Sequence, residues 1–299
     1  MTGFTPLVPP HIVPNGSSQR PVPFPAKERT LSPAIRDSMT LTSWLLLGGL
    51  VQGLLLLTLG PMALIPTVLV LLYRTVDHIL MAYNITPNRY LNGVINARYS
   101  AQTPNADGTF GLDPAAQSIV VFHLGARSNH PFGPLAPGMR DLSRRAIAMN
   151  KAMAADPVKY GLLGLSHYIK QESVAGNDTM TVYYLRDYEA LHRFAHDELH
   201  MEGVRWYAKY AKQYPHIAIF HETYLVPKGQ WENIYANSKP TGMGDTWFPV
   251  MGKDDAGSVT QFVRPIVDIR SGPLRSASRR LNMPRFYEQE DDDDKYEYE

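Results

Sequence analysis

No cysteine occurs anywhere in the 299 residues. That absence excludes disulfides, iron–sulfur ligation, thiolate haem ligation and a cysteine nucleophile. It leaves the compartment open, because reducing and oxidising surroundings both tolerate cysteine-free chains. An excess of charge is also lacking: 29 Lys and Arg against 28 Asp and Glu leave a formal net charge of +1. No global basic field therefore exists to attract nucleic acid. No G-x-G-x-x-G follows a predicted strand, which leaves a nicotinamide or flavin Rossmann site unsupported. Neither a G-x-S-x-G elbow nor a P-loop is present.

The longest local absence is of charge. Residues 41–73, "LTSWLLLGGLVQGLLLLTLGPMALIPTVLVLLY", contain no charged side chain. A helix needs about 20 apolar residues to cross the hydrocarbon layer, so this run is long for one span and short for two. Gly60-Pro61 is a natural break, since proline ends one helix and tolerates the start of the next. The expectation is a transmembrane helical hairpin over 41–83, with spans near 41–59 and 62–83. Two other readings stand beside it: a buried core hairpin, for which no comparable apolar stretch supplies cover, and one span followed by an interfacial helix. Lys27, Arg29 and Arg36 precede the run and Arg74 and Arg89 follow it. Positive flanks on both sides fit two cytosolic ends, with the rest of the chain on the cytosolic face of the endoplasmic reticulum membrane. Residues 1–39 are proline-rich and read as disordered, without the basic start and immediate apolar run of a secretory signal.

Residues 84–116, containing "TPNADGTFGLDPAAQ", read as a polar linker of turn formers. A compact domain is expected over 117–245. "SIVVFHLG" (118–125), "LLGLSHYIKQE" (162–172), "TMTVYYLRD" (179–187) and "HIAIFHETYLV" (216–226) read as strands. Residues 138–155 and 188–212 read as helices; Asp156-Pro157 stops the first. The order β-α-β-β-α-β is the ferredoxin-like arrangement, an α+β fold with both helices on one face of an antiparallel sheet. Residues 246–299 lose periodicity, turn basic and then acidic, and read as a largely disordered tail.

Eight of the ten histidines fall between residues 123 and 221. His192, His196 and His200 recur every fourth residue. At about 100° per residue, Leu191, Ala195, Leu199, Trp206 and Tyr210 share one apolar arc, with His192 at its edge and the other two progressively further round. His196 is expected to face a pocket under the helix and transfer a proton, and His200 to meet water or a partner. "HDELH" approaches the zinc-protease pattern H-E-x-x-H, but Asp197 holds the glutamate position and no third ligand follows at the expected spacing. No metal site is therefore expected. On the strands, His123 shares a face with Ile119 and Val121, and His221 with Ile217 and Ile219. Either is a satisfied core histidine or a proton donor lining an apolar cavity. Glu222 and Tyr224 share the opposite face; a buried glutamate there would have a raised pKa and could act as a base. Tyr184 and Arg186 share one face and could hold a polar substrate group. A haem needs only one axial histidine and an apolar slot, which keeps it as the alternative cofactor.

"RFAHDELHMEGVRWY", "HIAIFHETYLVPKGQWENIYAN" and "PTGMG" resemble the fungal secondary-metabolism monooxygenase-like proteins related to the fumagillin-pathway oxygenase. These in turn are similar to the antibiotic-biosynthesis monooxygenases, whose fold is a dimeric ferredoxin-like α+β barrel. The resemblance covers about residues 117–245. It implies oxygenation of an apolar polyketide- or terpenoid-like substrate without metal or flavin, the substrate reacting with oxygen as a stabilised carbanion or enolate. It also implies a homodimer. His196, His221, Glu222 and Tyr224 are carried over as catalytic candidates, with His123, Tyr184, Arg186, His192 and His200 as candidates for substrate binding. A haem dehydratase similar to aldoxime dehydratases, or a non-catalytic binding protein on the same fold, are the other readings.

Overall fold

The computed structural model describes residues 3–12, 36, 39–170, 178–254, 257–270 and 272–283. Most of the proline-rich segment, residues 171–177, where a hairpin turn carrying the glycosylation acceptor Asn177 is expected, and the acidic stretch 284–299 lie outside the described residues. In chain order the elements are strand β1 (His11–Ile12), helices α1 (Leu41–Leu59) and α2 (Ile65–Ala82), and strands β2 (Ile95–Ala101) and β3 (Ile119–Ser128). Helices α3 (Met139–Ala155) and α4 (Pro157–Tyr160) and strands β4 (Leu162–Ile169) and β5 (Asp178–Leu185) follow. Helices α5 (Tyr188–Ala195) and α6 (Glu198–Tyr210) precede strands β6 (Ile217–Val226), β7 (Tyr235–Ser238), β8 (Phe248–Asp254), β9 (Gly257–Val263) and β10 (Ile266–Asp268), and helix α7 (Ala277–Arg280) ends the described chain.

Alternating apolar residues build the central sheet, ordered β4-β5-β3-β6 and antiparallel throughout. That is the expected ferredoxin-like order. Val120, Leu162, Leu165, Tyr183 and Leu185 point to one face and pack with Met153, Leu191 and Phe194 of the helices. A register shift between Leu162 and Gly164 turns Leu163 to the other face.

That other face carries a second layer. Strand β2 lies between β7 and β10, and β9 lies between β1 and β8. Their side chains form a second core in which Ala101, Phe248, Val263, Val267, Ile269 and Leu274 are buried against Ile119 and Leu163. This corrects three expectations. Residues 84–116 are more than a linker, because Tyr99 and Ala101 are fully buried there. Residues 246–283 are not a tail, because Phe262, Ile266 and Val267 are also fully buried. Within 1–39, residues 3–12 are ordered against the C-terminal strands, His11 opposite Phe262 and Pro6 opposite Val267. Only long-range pairing holds these short strands, and local periodicity carries no trace of it.

Residues 41–82 form one segment long and apolar enough to cross a membrane by length and composition, and almost none of it is buried. Gly60, at φ 61°, ends α1 where the Gly-Pro pair is expected to. Gln52 donates to the Ala63 carbonyl at 3.0 Å and accepts from the Thr67 hydroxyl at 3.2 Å. Residues 15 apart in a straight helix lie roughly 22 Å apart, so the segment is not one straight helix and bends after Gly60.

Candidate active site

The stretch "FAHDELH" does not form one helix. Helix α5 ends at Ala195, and Asp197 adopts an extended backbone (φ −66°, ψ 143°) and caps α6 by accepting from the Leu199 amide at 3.1 Å. The same carboxylate accepts from the Tyr160 hydroxyl at 2.9 Å and from Lys159 at 3.2 Å. The Tyr160 bond foremost, then the cap amide and Lys159, hold the Asp197 carboxyl below its ordinary range. In this pattern the aspartate is a cap and clasp, and the expected continuous helix 188–212 is broken because aspartate satisfies free N–H groups best at a helix start. Asp197→Ala is expected to cost about 1 kcal/mol of stability at pH 7. A depressed carboxyl pKa contributes stability above the unfolded value of about 3.9 and loses it as pH falls through the lower folded value. Urea midpoints of wild type and variant should therefore differ at pH 7 and converge as the pH drops below about 3.9.

The break resets the phase of α6 and exchanges the expected placement of two histidines. A cavity of about 470 Å³ lies between α3, α6 and the helix-facing side of the sheet. Leu142, Ala146, Met149, Val204 and Ile219 give it an apolar wall. A smaller cavity of about 200 Å³ lies under α5, lined by Leu191, His192 and Phe194. Leu124, His200 and His221 border both. His196 borders neither; its Nδ1 bonds the His192 carbonyl at 2.9 Å and its ring lies 4.2 Å from that of His192. The expectation that His196 faces the pocket while His200 faces outward is thus reversed.

His200 Nδ1 lies 2.8 Å from the Ala195 carbonyl. A carbonyl only accepts, so Nδ1 carries the hydrogen and the neutral ring keeps its lone pair on Nε2. Nε2 has no hydrogen-bond partner among the described residues. His221 reaches the cavities from β6, with its ring 5.8 Å from Phe122 and no hydrogen-bond partner among the described residues. The two histidines come from different elements, which a single-helix reading could not bring together.

Strand alternation sends His123, Tyr184, Glu222 and Tyr224 to the far face, while Arg186 follows the end of β5. Tyr224 donates to Glu222 at 2.7 Å, which raises the phenol pKa, and His123 Nδ1 lies 3.6 Å from the same carboxylate oxygen. Glu222 is exposed, contrary to the buried base expected. Tyr184 packs into the second core near Met243, where burial raises its pKa. Arg186 pairs with Asp187 at 2.6 Å. None of these five borders either cavity. Among the described residues, no three His, Asp or Glu side chains converge to hold a metal ion.

Sequence reasoning misses most of the polar cavity residues, Arg145, Asn150 and Tyr183 among them. Arg145 lies over the Trp206 ring at 4.8 Å. Tyr183 donates to Asn150 Oδ1 at 2.6 Å, and burial pushes its pKa up to about 12. The available signal is weak: a polar Asn150 beside the apolar stripe of Leu142, Ala146, Met149 and Met153.

Comparison with known proteins gives a consistent family. The sequence profile described as "Monooxygenase af470-like" matches residues 119–243. Monooxygenase af470 of Aspergillus fumigatus is 35% identical over 247 residues, covering 82% of this chain and 88% of that protein. Among solved structures, SnoaB, a cofactor-independent oxygenase from Streptomyces nogalater, is 10% identical, with 36% of this chain and 92% of its own covered at a TM-score of 0.25. An aldoxime dehydratase in complex with butyraldoxime is 8% identical, with 62% and 44% covered at a TM-score of 0.33.

Proposed function

Because the chain belongs to the monooxygenase af470-like family, we propose that it oxygenates an apolar carbon acid at a membrane, without metal or flavin. The observation that carries this reading is His200: a histidine at the rim of an apolar cavity, fixed as the Nδ1–H tautomer, with Nε2 unengaged among the described residues. Nε2 removes a proton from an activated methylene, leaving a carbanion delocalised into the substrate. The carbanion passes an electron to dioxygen, and the radical pair combines to a peroxide anion, which takes the proton back from His200. Removal of the second C–H proton then breaks the O–O bond, giving a carbonyl and one water. The substrate carbon supplies all four electrons: one methylene and one dioxygen become one carbonyl and one water. The apolar wall excludes competing water and matches an aromatic polyketide- or terpenoid-like skeleton. Anthrone, a rigid ketone with an acidic methylene, is a suitable probe. Under oxygen-18 gas the purified protein should yield anthraquinone carrying one labelled oxygen, and turnover should survive dialysis against a chelator. No enzyme-dependent label incorporation, or activity restored only by an added metal or flavin, would overturn the reading.

The exposed leucines of α1 and α2, Leu45, Leu50 and Leu57 among them, support a membrane anchor. At about 1.5 Å per residue the two helices are roughly 27–29 Å long, close to the hydrocarbon thickness of about 30 Å. The anchor is a transmembrane hairpin in the endoplasmic reticulum, with the catalytic part in the cytosol. The protein should stay with membranes through alkaline carbonate washing, and deletion of 41–82 should release it. A glycan on Asn177 in the native host would place the catalytic part in the lumen instead. Phe220 and Tyr224 on the exposed outer half of the sheet support a homodimer formed through that face.

A further inference from the structure

One donor in the cavity wall has no hydrogen-bond partner among the described residues. Asn150 is buried at 8% exposure on α3 and borders the 470 Å³ cavity. Its Oδ1 is occupied by the Tyr183 hydroxyl at 2.6 Å. That length is typical of O–H···O and short for N–H···O, whose common distance is about 2.9 Å. It fixes the amide with oxygen toward Tyr183 and nitrogen away from it. The phenol stays protonated across the working range, since burial pushes its pKa up to about 12, so it remains a donor. The amide nitrogen has no hydrogen-bond partner among the described residues, yet it is not among their sealed-off polar atoms. For a residue this buried, the space it opens onto is the cavity.

A buried amide donor is costly to leave unpaired, so water or a ligand in the cavity must pair with it. The lining mixes apolar Leu124, Ala146 and Met149 with the hydroxyls of Thr179 and Thr181, and among the described residues none of its acceptors bonds the Asn150 amide nitrogen. We propose that the Asn150 amide, oriented by Tyr183, receives a carbonyl oxygen of the substrate, so that the substrate class is an apolar compound whose acidic C–H is activated by a carbonyl. The proposal rests on the oxygenase reading for its chemistry: as the C–H proton leaves toward His200, negative charge gathers on that oxygen, and a donor aimed there stabilises the enolate. Tyr183 is a positioning residue, acting only through Asn150.

Binding without oxygen tests this separately from turnover. Anthrone and 9,10-dihydroanthracene share a tricyclic frame and differ by the carbonyl. In anaerobic equilibrium dialysis, the full-length protein in detergent should bind anthrone about tenfold more tightly than the hydrocarbon, the size of one hydrogen bond to an otherwise unpaired donor. The double variant N150L/Y183F removes both polar partners together, which spares the core an orphaned group. It should bind the hydrocarbon as wild type does and lose the ketone preference. Tyr183→Phe alone frees the amide to turn and should reduce the preference. A preference that persists in N150L/Y183F, no preference in wild type, or equal loss of both ligands in the variant would each overturn the assignment. Intact preference without oxygen-18 incorporation would sink the oxygenase reading and leave the carbonyl site standing.

Discussion

His200→Ala should reduce turnover of anthrone by about 10²–10⁴, the usual contribution of a positioned proton-transfer group. His196→Ala, four residues earlier, should stay within a few-fold of wild type. The contrast follows from the break at Asp197. Before it, His196 bonds back to its own helix at the His192 carbonyl, away from both cavities. After it, His200 turns under α6 and reaches back to the Ala195 carbonyl. Loss of that hydrogen bond should cost only about 1 kcal/mol, so the variant should melt within a few degrees of wild type. His200→Gln keeps the bulk and a donor but lacks the imidazole base, and should be as inactive as alanine. His221→Ala reports on the second histidine: a loss in affinity with turnover retained would assign it to substrate binding.

The second large effect concerns folding. A fragment limited to 117–245, the stretch that carries the family resemblance, should fail to fold into a soluble domain. It lacks β2, β8, β9 and β10, and with them the buried Ala101, Phe248, Val250, Val263, Val267, Ile269 and Leu274. Full burial of each large apolar side chain contributes roughly 1.5–3 kcal/mol. Losing six of them removes stabilisation of the same size as the entire net stability of a domain, about 5–15 kcal/mol. The cut also exposes Leu163 and Ile119, inviting aggregation. A chain lacking only 41–82 keeps both cores and should give one cooperative thermal transition. Scanning calorimetry on the two proteins separates these outcomes; a cooperative transition from the 117–245 fragment would show that the second core is dispensable.

The central sheet is legible in the sequence because alternation on β3, β5 and β6 specifies which residues face the helices; β4 departs from it at the Leu162–Gly164 register shift. Even the division of β6 is readable, with His221 on one face and Glu222 and Tyr224 on the other. Combining all three into one site overlooks that division. The second core is not legible. Strand β8 contains Pro249 and Gly252, β2 mixes Asn, Arg and Ser, and Ala101 pairs with Ile266 from the far end of the chain. Such partners are long-range facts that a local window cannot hold. The helix break has a signal, an aspartate followed by Glu-Leu-His, but the three evenly spaced histidines make a continuous helix the simpler pattern. Asn150 is hidden for a different reason: its importance lies in a bond to Tyr183, 33 residues away on another element.

Proton removal by His200 can be observed without oxygen at all. With the full-length protein in detergent and anthrone in heavy water under argon, mass spectrometry follows deuterium entering the methylene group. Wild type and His196→Ala should accelerate exchange well above buffer. His200→Ala should fall back to the buffer rate, with substrate still bound by dialysis. Exchange in His200→Ala at the wild-type rate, or its loss in His196→Ala instead, would contradict the assignment of His200 as the base.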